Sequence, residues 1–158
     1  SKSFGGGDKH YWKMILEGGV NANDVIFYPY GLSIEDNENV KFYFPENPNF
    51  VSCTTVEGQM SERYITVPVK KLSTIMEELG HDQIDLLKID IEGSECAVLE
   101  QMIVEKIFPK YLSVDFDSGW CLKHKDKPRC LKLISKLKKF GYKVLHSDRA
   151  DYTFRLID

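Results

Sequence analysis

Ile84-Asp85-Leu86-Leu87-Lys88-Ile89-Asp90-Ile91-Glu92-Gly93-Ser94-Glu95-Cys96-Ala97-Val98-Leu99-Glu100 is the stretch that decides the fold. Its first half is a near-continuous apolar run broken only by Lys88, with the length and composition of a strand buried on both faces of a parallel sheet. After Gly93 the apolar positions are Cys96, Leu99, Met102 and Ile103, which is helical spacing. The segment reads as strand, tight glycine turn, helix. Asp90 and Glu92 sit where the strand ends, and open α/β sheets bind ligands at the carboxyl ends of their strands. Chemistry is expected here first.

Outward from this unit the same two periodicities recur. Upstream, Asp24 to Tyr30 reads as a strand, and Val40 to Phe44 alternates like a half-exposed one, with Glu35-Asp36-Asn37 supplying a turn between them. Tyr64 to Val69 is a strand whose Pro68 suits a sheet edge or a strand end. Leu72, Ile75, Met76 and Leu79 form a helical stripe closed by Gly80. Downstream, Tyr111 to Asp117 places Leu112, Val114 and Phe116 on one face and Ser113, Asp115 and Asp117 on the other. Pro128 opens a helix with apolar Leu131, Ile134 and Leu137, and Gly141 stops it. Tyr142 to His146 and Tyr152 to Ile157 form a closing antiparallel hairpin. The order predicts a single α/β domain over 1–158, with 1–7 as a flexible lead-in and a mainly parallel sheet. Asp8 to Leu16 reads as a short helix, and Pro45 to Ser61 as a long polar loop suited to substrate contact.

With 158 residues, 42% hydrophobic and 28% charged, the chain suits a soluble globular domain with its own core. A net charge of -3 excludes the broad basic footprint of a nucleic-acid binder. No run approaches the ~18 apolar residues that span a bilayer. Cys53, Cys96, Cys121 and Cys130 show neither C-x-x-C nor zinc spacing, so free thiols are the default, with a Cys121–Cys130 disulfide open in an oxidising compartment.

Leu87-Lys88-Ile89-Asp90-Ile91-Glu92-Gly93-Ser94-Glu95, followed by Val98-Leu99, resembles the signature of the FkbM family of S-adenosylmethionine-dependent methyltransferases. The resemblance implies a Rossmann-like class I methyltransferase sheet and O-methylation of a small molecule or sugar hydroxyl. It also implies S-adenosylmethionine as cofactor, with Gly31-Leu32-Ser33 beside its adenine and Asp90 within the cofactor site. Ser1-Lys2-Ser3 resembles the stretch after the second strand of eukaryotic members. On that alignment the first cofactor-binding strands lie upstream, and the chain is the later part of a domain truncated at its N-terminus. The family often carries E-[IVF]-H where this chain has Asp115-Phe116-Asp117, which removes a histidine suited to proton transfer.

Asp90, Glu92 and Asp117 are the catalytic candidates, since carboxylates converging at adjacent strand ends polarise a hydroxyl or accept its proton. Trp120 is the substrate-packing candidate in the loop after the second acidic strand. No metal ligand is assigned. The alternative for Asp90 and Glu92 is that they accept backbone N–H bonds where the next helix begins. The alternative for the whole chain is a non-catalytic binding module that keeps the sheet without the cofactor site.

Overall fold

The computed structural model describes residues 17–19, 21–44, 62–91, 93–116 and 127–157. The backbone separates into two compact units, one drawn from Ser1–Pro29 and Phe42–Ile65, the other from Tyr30–Lys41 and Thr66–Asp158. In the first, Phe44 N–H donates to the Arg63 carbonyl at 2.9 Å, and Tyr43 meets Tyr64 edge-on with centroids 5.7 Å apart. The second holds most of the regular structure. A short β1 (Gly31–Leu32), β2 (Asn37–Tyr43) and β3 (Tyr64–Lys70) form a three-stranded sheet in the order β1-β3-β2. After α1 (Leu72–Leu79) come β4 (Leu86–Ile89), α2 (Glu95–Val104), β5 (Tyr111–Asp115), α3 (Lys127–Lys139), β6 (Tyr142–Asp148) and β7 (Asp151–Leu156). These last four strands form a sheet in the order β4-β5-β7-β6.

The α/β class and the closing hairpin are present, but the described sheets are mixed and not mainly parallel. β1 and β3 run parallel, as do β4 and β5, whereas β7 is antiparallel to both β5 and β6. The cause is the connection. α2 fills the crossover from β4 to β5 and lets them run parallel, while the two-residue turn Arg149-Ala150 can join only antiparallel strands. The return strand β7 then inserts beside β5, so half the sheet takes its direction from the hairpin.

Other expectations change for local reasons. Residues 25–30 form no strand; Ala22–Asp24 is a 3-10 turn, Ile26 and Phe27 are exposed, and Pro29 lacks the N–H that a ladder needs. β4 is not buried on both faces. It borders its sheet on one side among the described residues, and Leu86 is 63% exposed while Ile89 is buried. Pro68 lies in the middle strand of its sheet, yet β1 reaches only Val69 and Lys70, so Pro68 falls just before that pairing starts. Leu131 turns outward at 48% exposure, and Cys130, Leu133, Ile134 and Leu137 make the buried face of α3. The expected helix at Asp8 to Leu16 and the loop from Pro45 to Ser61 lie outside the described residues.

Helix ends follow expected chemistry with one addition. Gly80 closes α1 at φ 66°, and the His81 N–H reaches back to the Met76 carbonyl at 2.8 Å. At the other end Lys71 offers no side-chain cap. Asp36, 35 positions earlier, accepts the Lys71 N–H at 2.8 Å and the Thr74 hydroxyl at 2.9 Å, and those bonds, led by the Lys71 N–H, hold its carboxyl below the ordinary value.

The core of the second unit lies between the four-stranded sheet and its helices. Ile89, Leu112, Val114 and Phe154 come from strands, Phe116 from just beyond β5, and Val98, Leu99, Met102, Leu133 and Leu137 from α2 and α3. Each such side chain contributes about 1.5–3 kcal/mol when fully buried. Tyr142 adds a polar tie: its hydroxyl donates to the Pro109 carbonyl at 2.7 Å in a buried setting.

Burial alone pushes the Tyr142 phenol well above its ordinary value of 10.0. The folded chain therefore keeps a proton that the unfolded chain releases above about pH 10, so this contribution is complete below that pH and is lost as pH rises. Tyr142→Phe removes the hydroxyl that donates to the buried Pro109 carbonyl and is expected to cost roughly 1–3 kcal/mol at pH 7. In thermal melts the variant should also lose stability less steeply than wild type above about pH 10.

Candidate functional site

The turn after β4 is built around a carboxylate that no strand-end reading singles out. Glu95, the first residue of α2, is fully buried. Its Oε1 accepts the Ile91 N–H at 2.9 Å and the Gly93 N–H at 3.2 Å, and its Oε2 accepts the Gly93 N–H at 3.0 Å. Burying an ion without partners is costly, and these charge-assisted bonds offset that cost. A negative group in the first turn of a helix is further favoured by the helix dipole. Ser94 makes no side-chain cap bond, so Glu95 fastens the turn from inside the helix. Gly93 sits at φ 111°, a backbone shape that side-chain-bearing residues rarely adopt.

Asp90 is thereby released to the surface. It follows the last residue of β4, its side chain is 53% exposed, and Lys88 Nζ lies 3.4 Å from its Oδ2. The register pairs Ile89 with Val114, so Asp90 comes one rung later, level with Asp115 at the end of parallel β5. Asp115 pairs with Asp151 on β7, and Asp151 with Asp148 on β6. Four aspartates thus mark one end of all four strands. Such a row concentrates hydrogen-bond acceptors and negative potential where a ligand would meet the sheet. Among the described residues, no three His, Cys, Asp or Glu side chains are grouped to hold a metal ion.

The expected neighbourhood of the acidic strand ends is present for Asp90 and Asp115. Glu92, Asp117 and Trp120 lie outside the described residues. Gly31 and Leu32 form β1, and the Ser33 N–H continues its parallel pairing by donating to the Lys70 carbonyl at 2.9 Å. These three residues therefore sit at the carboxyl end of a parallel pair in the three-stranded sheet, while Asp90 ends a strand of the four-stranded one. Among the described residues, Glu95 accepts the backbone N–H groups of this turn. The available signal was an acid in the first turn, two residues after a glycine, at a helix start where a short loop leaves N–H groups to be satisfied.

The family model described as "Methyltransferase FkbM domain" matches residues 19–144, most of the chain. Over 48 residues the chain is 40% identical to "Probable methyltransferase-like protein 24" of Rattus norvegicus, and equally to the protein of that name in Homo sapiens. That alignment covers 30% of this chain and only 13% of each relative's own length. No solved structure matches it.

Glu95→Gln replaces one acceptor oxygen with a donor facing backbone N–H groups. It is expected to cost about 1.5–3 kcal/mol, the range for hydrogen bonds to a charged group. Circular-dichroism melting should fall by roughly 4–10 °C; an unchanged melt would show that the turn closes without the carboxylate. Gly93→Ala should cost about 1–2 kcal/mol through its backbone angle alone, since nothing lies within 4 Å of the added carbon.

Proposed function

This chain belongs to the methyltransferase FkbM domain family, and we propose that it forms part of an S-adenosylmethionine-dependent O-methyltransferase acting on a hydroxyl of a small molecule or sugar. The family match over residues 19–144 carries the reading. The placement of Asp90 supports it. An exposed carboxylate at a strand end accepts hydrogen bonds from hydroxyl groups, and the turn behind it is held by a buried anchor.

The donor set fits a nucleoside-type methyl donor in part. Asp90 supplies the carboxylate that hydroxyl groups require, and Gly31-Leu32-Ser33 supply strand-end backbone on the adenine side. S-adenosylmethionine, when bound, supplies an electrophilic methyl carbon attached to a sulfonium sulfur. The protein's own contribution is to orient the acceptor oxygen and draw its proton away, because a neutral hydroxyl is a weak nucleophile. Asp90 takes this role, with Glu92 and Asp117 as the further carboxylates and Trp120 as the flat apolar face for a sugar ring or comparable acceptor. Lys88 Nζ, 3.4 Å from Asp90 Oδ2, leaves the other oxygen for the acceptor.

The natural full-length protein, titrated calorimetrically with S-adenosylmethionine and assayed by mass spectrometry on simple sugars and hydroxylated small molecules, tests the reading. Binding and methyl transfer are expected. Asp90→Asn should keep the wild-type melting temperature and lose about 10²-fold in transfer rate, the range for removing a general base. No binding by the full-length protein would replace the enzyme with a binding module. Wild-type transfer by Asp90→Asn would remove Asp90 from the catalytic role.

A further inference from the structure

Two of the four cysteines lie within the described residues, and they face each other. Cys96 is the second residue of α2 and Cys130 lies in the first turn of α3, and the two helices pack together. Both side chains are sealed from solvent, at 2% and 0% exposure, and their Sγ atoms are 3.0 Å apart. Unbonded carbon atoms rest at about 3.5–4.0 Å, and sulfur is larger than carbon. The two sulfurs therefore stand inside ordinary contact, about 1 Å from the ~2.05 Å of an S–S bond. The sequence makes free thiols the default and leaves a Cys121–Cys130 pair open; Cys121 lies outside the described residues.

We propose that Cys96 and Cys130 form an intramolecular disulfide, a covalent modification site that cross-links α2 to α3. The chemistry is thiol–disulfide exchange with a low-molecular-weight disulfide such as oxidised glutathione. One cysteine thiolate attacks that disulfide and expels a glutathione thiolate, giving a mixed disulfide. The second cysteine thiolate attacks the protein sulfur of the mixed disulfide and expels the other glutathione thiolate. Two protein S–H bonds are replaced by one S–S bond, both protons end on glutathione thiols, and two electrons reduce the oxidant.

Burial sets the timing. Neither sulfur is reachable in the closed fold, so the bond forms as the chain folds and is then shielded from reductant. The helices need no reorientation, because the exposed side of the same seam is already clamped by a two-pronged ion pair. Arg129 Nε and Nη2 donate to Glu100 Oε1 and Oε2 at 3.0 and 2.6 Å, and Arg129, beside Cys130, holds the Glu100 carboxyl below its ordinary value. The ring closed by the bond contains the rest of α2, all of β5 and the start of α3. It anchors α2 one residue beyond Glu95, at the turn that presents Asp90.

The test is to fold the whole chain in a mixture of oxidised and reduced glutathione, block remaining thiols with N-ethylmaleimide under denaturation, and map unreduced tryptic peptides by mass spectrometry. The expected product joins Ile89–Lys106 to Cys130–Lys132 and disappears on treatment with dithiothreitol. Reduction should lower the melting temperature by roughly 5–15 °C, given the length of the closed ring. A Cys53→Ser, Cys121→Ser double variant isolates the pair and should still lose both thiols on oxidative folding. Recovery of Cys96 and Cys130 as separately blocked thiols from oxidatively folded protein overturns the proposal. So does a product joining Cys130 to the Cys121 peptide.

Discussion

A single buried carboxylate governs how this chain presents its chemistry. Glu95 is fully buried, and backbone N–H groups of Ile91 and Gly93 point at its carboxyl and offset the cost of taking it out of water. The constraint runs both ways. The turn keeps its shape because its donors have one acceptor to satisfy, and α2 begins where it does because its first residue is that acceptor. Everything at the carboxyl end of β4 inherits this. The Asp90 side chain stands 53% exposed at the head of a turn in which, among the described residues, Glu95 accepts the backbone N–H groups.

The four-stranded sheet extends the same logic sideways. Parallel β4 and β5 end level with each other because α2 spans the crossover, and the closing hairpin brings β7 back against β5 in the opposite sense. The result is an acidic margin in which Asp90, Asp115, Asp151 and Asp148 occupy successive strands. Like charges so arranged repel, and a sheet that keeps them together at one end forgoes some stability for a concentrated set of acceptors. Lys88 offsets part of that repulsion locally, from the strand that carries Asp90. Membership in the FkbM methyltransferase domain family gives this margin a chemical context.

Much of the architecture was legible from periodicity. The apolar run before Asp90 became β4 with Ile89 buried at its end, the helical spacing from Cys96 to Ile103 became a helix with those side chains buried, and the alternation of Leu112 and Val114 became a strand that buries both and leads into buried Phe116. What misled was an apolar run without a partner. Val25 to Tyr28 has strand composition but forms no ladder among the described residues, and Leu86 belongs to a strand yet stays exposed at the sheet's margin. Hydrophobicity reports a tendency to be buried; pairing requires a neighbour with free hydrogen-bonding groups at the right register.

The candidate site shows the same division. Sequence by itself determined the α/β class, the strand-turn-helix unit, the family, and the presence of an acid where a strand ends, because these depend on residue type and spacing along a short stretch. Tertiary structure decided which acid does what. Glu95 and Asp90 are chemically similar and five positions apart, but one is enclosed by backbone donors and the other stands in solvent beside Lys88. It also decided that Asp36 caps a helix 35 positions downstream and that Cys130 faces Cys96. Those pairings join residues far apart in the chain, and their distances are fixed by how helices and strands pack, a property that no local pattern of residues contains.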